Sequence, residues 1–94
     1  MEGLETLKKL EILDLAHNRI KKIEGIENLS ELTDLWLNHN EISNFDDFQM
    51  FKYVPKVTTI YLWKNPIADV PFYRQKIVEI LPNIEEIDST TYKV

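Results

Sequence analysis

The chain of 94 residues contains no cysteine and only two glycines, Gly3 and Gly25. Without thiols, neither a disulfide framework nor a thiolate metal site can form. Glycine this scarce leaves no glycine-rich loop of the kind that cradles phosphates. Long apolar runs are missing too, since none approaches the roughly 18 residues that a membrane span needs. The opening MEGLETLKKL lacks the charged-then-apolar order of a secretory leader. Positive charge is in deficit, with 11 basic against 16 acidic residues and a net charge of −5. Phosphate backbones demand clustered Lys and Arg, so a nucleic-acid partner is disfavoured. The one basic run, Arg19, Lys21 and Lys22, reads as a solvated turn. These absences point to a soluble intracellular chain, cytoplasmic or nuclear, with no cofactor, no nucleic acid and no membrane among its partners.

What is present argues for a folded chain. It is 44% hydrophobic and 29% charged, outside the range of disordered segments. Its length allows one small domain, spanning 1–94. The chain also repeats itself. LEILDLAHNRI (Leu10 to Ile20), LTDLWLNHNEI (Leu32 to Ile42) and VTTIYLWKNPI (Val57 to Ile67) all fit L-x-x-L-x-L-x-x-N-x-I, with Val or Ile replacing Leu in places. The asparagines Asn18, Asn40 and Asn65 recur after 22 and then 25 residues. A partial fourth copy, IEEID, starts at Ile84. Behind each copy runs a second apolar series in steps of three: Ile23, Ile26, Leu29, then Phe45, Phe48, Phe51. The extra residues of the longer repeat fall near QMFKYVPK.

This pattern is similar to the leucine-rich repeat. The resemblance implies an α/β solenoid, a right-handed β-α superhelix with about three full repeats. Each unit contributes a short strand, a tight turn and a return segment rich in 3₁₀ or helical turns. No unit can bury its apolar edge alone, so neighbours bury it by stacking. The asparagine amides are expected to satisfy backbone groups that each turn leaves unpaired, a structural role.

The two ends differ. After Asn65-Pro66, residues 66–94 read as a C-terminal cap. Tyr73, Ile77, Ile80 and Leu81 share one helical face, while Arg74, Gln75, Lys76 and Glu79 point elsewhere. Asp69 is expected as the N-terminal cap of a helix of about ten residues, with Pro71 in its first turn and Pro82 stopping it. Met1 aligns with Ile23, so the chain opens partway through a repeat. Leu4, Leu7 and Leu10 are then expected to have an exposed apolar side beside an unpaired strand. Self-association or further repeats would cover that edge.

Side chains of a strand alternate between faces, so Trp36 cannot share one with Leu35 and Leu37. The middle outward column holds Asp14, Trp36 and Tyr61, with Asp88 a weaker fourth. The column two positions later holds Ala16, Asn38 and Trp63, and the one two positions earlier Ile12, Asp34, Thr59 and Glu86. Neighbouring strands lie roughly 4.8 Å apart, so Trp36, Tyr61 and Trp63 are expected to form one aromatic patch on the concave face, edged by Asp14, Asp34 and Glu86. Trp and Tyr dominate interface hot spots, and the carboxylates would select a partner carrying Lys or Arg. The competing reading is that the rings merely pack on one another and cover the sheet.

The segment HNRIKKIEGIENLSEL and the ending IYLWKNPI…YRQKIVEILPNIEEID, with the repeat of about 22 residues, resemble the C-terminal part of the leucine-rich-repeat regulatory subunits of protein phosphatase 1. The resemblance runs over essentially the whole chain. It implies a noncatalytic regulator whose concave face docks on the phosphatase catalytic subunit. The matching positions are Asp34, Trp36 and Tyr61; Trp63 and Asp14 are added from strand geometry. The family's proteins have many more repeats. The cap segment also resembles an outer-arm dynein light chain and the spliceosomal A-prime protein, which leaves a different intracellular adaptor as the alternative.

No catalytic arrangement stands out. Ser30, Ser43 and Ser89 have no base placed beside them, and Asp14 and His39 lack a nucleophile. His17 and His39 occupy one slot of successive repeats, but the third copy offers Lys64 there, and two histidines make a poor zinc site. Asp46-Asp47 reads as a solvated loop.

Overall fold

The computed structural model describes residues 7–81, 83–88 and 90–91. The expectations for Met1, Leu4, Pro82 and Ser89 lie outside the described residues. Three strands come from the three repeat copies: β1 (Ile12–Asp14), β2 (Asp34–Trp36) and β3 (Thr59–Tyr61). Two more follow, β4 (Glu86–Ile87) and β5 (Thr90–Thr91), in one sheet ordered β1-β2-β3-β4-β5. The first four strands run parallel, and β5 returns antiparallel to β4. Asp14, Trp36 and Tyr61 stand in register, as do Ile12, Asp34, Thr59 and Glu86. The expected columns are therefore real rows across the sheet. This is the leucine-rich-repeat solenoid architecture.

Alternation sorts the strand residues. Leu13, Leu35, Ile60 and Ile87 are buried in one row, and their strand neighbours are half-buried or exposed. Leu32, Val57 and Ile84 precede each row and are buried, as are Leu37 and Leu62 behind it. The return segments close the other side. Ile23, Ile26 and Leu29 do so from a chain of turns. In the longer second repeat, a 3₁₀ segment (Phe45–Tyr53) carries Phe48 and Phe51 inward. Phe45, Phe48 and Phe51 meet edge to face at 5.7 and 5.5 Å, the arrangement favoured by the ring quadrupole. Asn44 starts this segment by accepting the Asp46 N–H at 2.8 Å.

The ladder asparagines bind the repeats. Asn40 Nδ2 donates to the carbonyls of Leu37 and, one repeat back, Leu15; its Oδ1 accepts from Ile20 N–H. Asn65 does the same with Leu62, Leu37 and Ile42. Each amide thus meets at least three backbone groups that a turn inside the stack would leave unpaired.

The cap departs from expectation in detail. The helix α1 is Tyr73–Ile80, eight residues rather than about ten. Tyr73, Ile77 and Leu81 are buried and Ile80 is half-buried, so the helical face is the expected one. Asp69 does not cap it. Asp69 ends a separate 3₁₀ turn (Pro66–Asp69) and Pro71 precedes the helix. The reason is local sterics. A residue before proline is driven to extended backbone, and Val70 sits at φ −70°, ψ 132°. The helix can restart only beyond Pro71, and Phe72 makes the entry in the left-handed region at φ 63°. That conformation is rare for a bulky side chain. Phe72 is 77% exposed.

Candidate protein-binding face

The parallel register sets the face. The half-exposed ring of Trp36 stacks on Tyr61 at 5.8 Å with planes 18° apart. Tyr61 in turn meets Trp63 at 5.0 Å, tilted by 47°. Trp63 is half-exposed too. The three rings form the contiguous patch that the repeat spacing implies. They are neither free nor engulfed: each packs on the next and keeps part of its surface in solvent. Trp36 thus packs on its neighbour in the sheet while part of its surface stays accessible. Among the described residues, its indole Nε1–H is buried and finds no acceptor.

The carboxylates surround this strip. Glu86 Oε2 accepts the Tyr61 hydroxyl at 3.1 Å, which ties the last parallel strand to the aromatic row. Asp34 Oδ1 accepts from Thr33 Oγ1 at 2.8 Å. Asp14 is exposed and accepts the Ala16 N–H at 3.0 Å. None of the three forms a salt bridge among the described residues. Asp14, Asp34, Trp36, Tyr61 and Trp63 therefore share one face. Asn38, expected between Ala16 and Trp63 on that face, is instead buried.

Asp88 is placed differently from expectation. It adopts φ 51° as β4 gives way to β5, and its side chain is only 4% exposed. Oδ1 accepts the N–H groups of Leu62 and Trp63 at 2.6 and 3.0 Å. In the earlier repeats the donors equivalent to Leu62 N–H find strand carbonyls: Leu15 N–H donates to Trp36 O and Leu37 N–H to Tyr61 O. Because β4 ends at Ile87, a carboxylate stands in for the missing carbonyl. Among the described residues its Oδ2 makes no hydrogen bond, and it lies 3.7 Å from Arg74 Nη2 on α1. Burial raises the carboxyl pKa, opposed by the two N–H donors. Asp88 is a cap, not a face residue.

Sequence reasoning noticed the histidine slot but not its geometry. His17, His39 and Lys64 all take left-handed backbone, φ 59°, 60° and 62°, just before the ladder asparagines. The His17 and His39 rings stack at 4.2 Å, and His39 stands edge-on to Trp63 at 6.5 Å. The recurrence of one slot ahead of each asparagine was the available signal. Among the described residues, no three His, Cys, Asp or Glu side chains converge as a metal site. No helix among them is long and apolar enough to cross a membrane.

Comparison with known proteins agrees with the architecture. A model described as leucine-rich repeats (2 copies) matches residues 8–49. The fold is that of the leucine-rich-repeat proteins, and such modules bind protein partners. The structure of the Drosophila melanogaster SNF/U2A' complex contains a chain that superposes with a TM-score of 0.89 at 28% identity, covering 99% of this chain and 55% of that one. An acidic leucine-rich nuclear phosphoprotein 32-related protein of Plasmodium falciparum is 28% identical over 94% of this chain and 33% of its own length. Protein phosphatase 1 regulatory subunit 7 of Xenopus tropicalis is 46% identical over 49 residues, 52% of this chain and 14% of that protein. The resemblance to the phosphatase regulators, expected along the whole chain, thus extends over about half of it. The chain spans a third or less of these curated relatives.

Proposed function

We propose that this chain is a noncatalytic protein-binding module that docks the catalytic subunit of protein phosphatase 1 on its open sheet face. Asp34, Trp36 and Tyr61 form the centre of the contact, with Trp63 and Asp14 at its margin. The observation that carries the reading is the half-exposed aromatic row Trp36–Tyr61–Trp63, bordered by carboxylates without a cationic partner among the described residues. Aromatic anchors desolvate well at low entropic cost, and flanking charge selects a basic partner surface and steers its approach. The 46% identity to the phosphatase regulator supports that choice of partner. The work is done in the cytoplasm or nucleus.

A second reading has its own support. The likeness to a chain in the SNF/U2A' complex covers nearly all of this chain, which favours a spliceosomal adaptor. One experiment separates the two. Tagged wild type and Trp36→Ala are used to capture purified phosphatase catalytic subunit, and in parallel to capture partners from nuclear extract. Capture of the phosphatase by wild type and its loss in the variant support the first reading. No phosphatase, with ribonucleoprotein components retained through Trp36, overturns it in favour of the second.

A further inference from the structure

The aromatic row does not stop at Trp63. Through His39 it continues to His17, so five rings run across the face: Trp36, Tyr61, Trp63, His39 and His17, with successive centroids 5.8, 5.0, 6.5 and 4.2 Å apart. Two of the five can acquire charge near neutral pH. Two imidazolium rings at 4.2 Å with nearly parallel planes repel each other, so the stack tolerates a second proton poorly.

The backbone prevents the pair from drifting apart. His17 N–H donates to Asn38 O and His39 N–H to Trp63 O, at 3.1 and 2.9 Å, within the same ladder that orders the sheet. Both residues hold the left-handed conformation that the tight turn requires. Repulsion must therefore be relieved by ring rotation. Rotation of His39 away from His17 changes its T-shaped arrangement with Trp63, whose ring centroid lies 6.5 Å away.

We infer that protonation of the His17–His39 pair rotates His39 against Trp63 and makes the shape of the aromatic face depend on pH in the mildly acidic range. The significance for binding rests on the function proposed above; the ring motion does not. The surroundings favour neutral His39. His39 is held below the ordinary imidazole range by partial desolvation, then by His17 and by Lys64, which fills the same slot of the next repeat. Along the chain the pair is flanked by exposed Arg19 and Glu41, and by Asp14, whose carboxylate faces Ala16 N–H. Desolvation, His17 and Lys64 fix the sign. The fold disfavours the charged His39, so this site adds stability above the ordinary value of 6.5 and loses it as pH falls below.

The test follows the indole N–H and imidazole NMR signals of the free protein from about pH 8 to about pH 5. Wild type is compared with His17→Asn and His39→Asn, because asparagine tolerates the left-handed backbone. Circular dichroism checks that each variant folds. The Trp63 indole signal is expected to move with the His39 midpoint, below 6.5, while Trp36 moves less. In His17→Asn the midpoint should rise, and in His39→Asn the movement should vanish. A Trp63 signal that stays flat, or one that titrates identically in all three proteins, overturns the inference even if phosphatase capture through Trp36 succeeds. If Trp63 titrates as expected but no phosphatase is captured at neutral pH, the coupling stands and the proposed partner falls. With both in place, capture should decline as pH drops, since new positive charge at the rim repels a basic partner.

Discussion

Beside β4 the chain turns back on itself, a buried carboxylate fills two backbone donors and α1 lies over the last repeat; beside β1, the only strand partner among the described residues is β2. The ladder asparagines register this contrast. Asn65 is buried and reaches a neighbouring repeat, whereas Asn18 is exposed and donates only within its own turn, to Leu15 and Ala16. Ile12, in the row that holds Asp34 and Thr59, is 52% exposed. Identical residues in identical slots thus differ in energetic weight, because a repeat acquires much of its stability from the units on either side.

The largest test of this contrast is Asn65→Ala against Asn18→Ala. Removing Asn65 leaves Ile42 N–H and Leu62 O without their side-chain partner, while Leu37 O keeps Asn40 Nδ2, and is expected to cost about 2 kcal/mol or more in urea denaturation. Asn18→Ala should cost less than about 1 kcal/mol, because water can reach its partners. Equal losses would break the argument from position. Next comes the closing carboxylate. Asp88→Ala leaves the Leu62 and Trp63 N–H groups without an acceptor, for a loss of about 1–3 kcal/mol. Asp88→Asn keeps an acceptor oxygen and sheds the buried charge, so at neutral pH it should match wild type or exceed it in melting temperature.

The pH dependence of that residue has a definite sign. The folded pKa of Asp88 lies above its ordinary value of 3.8. The folded state therefore binds this proton more tightly than the unfolded chain does, and the contribution is fully present below 3.8 and lost as pH rises through the folded value. The melting-temperature difference between Asp88→Asn and wild type should accordingly narrow on acidification. At the face, the larger effect is expected on binding rather than on stability. Trp36→Ala loses one stacked neighbour, about 0.5–1.5 kcal/mol beyond the area it exposes, while phosphatase capture should fall steeply. A stability loss above about 4 kcal/mol with capture intact would assign Trp36 to packing alone.

The pairing of Asp14, Trp36 and Tyr61 was readable before any coordinates, because a repeat period of known phase fixes which side chains share a row. The same logic placed Tyr61 against Trp63, and helical periodicity turned Tyr73 and Ile77 inward. It failed wherever the period ends. Asp88 sits in the row of Tyr61 by alignment, yet the chain reverses there and its carboxylate turns to the backbone. Val70-Pro71 set the start of α1 through a steric rule that outweighed the capping preference of Asp69. The ring stack of His17 on His39 depends on side-chain rotation about a left-handed backbone, which spacing alone does not specify.

One consequence follows from the unequal repeats. The second unit is three residues longer than the first, and Phe45–Tyr53 takes up the surplus in 3₁₀ turns while Asp34 still faces Thr59 across the sheet. The longer return segment therefore leaves the strand register unchanged. A designer could graft loops, tags or second binding elements behind the strands of this protein and expect the spacing of Trp36 and Tyr61 to be preserved.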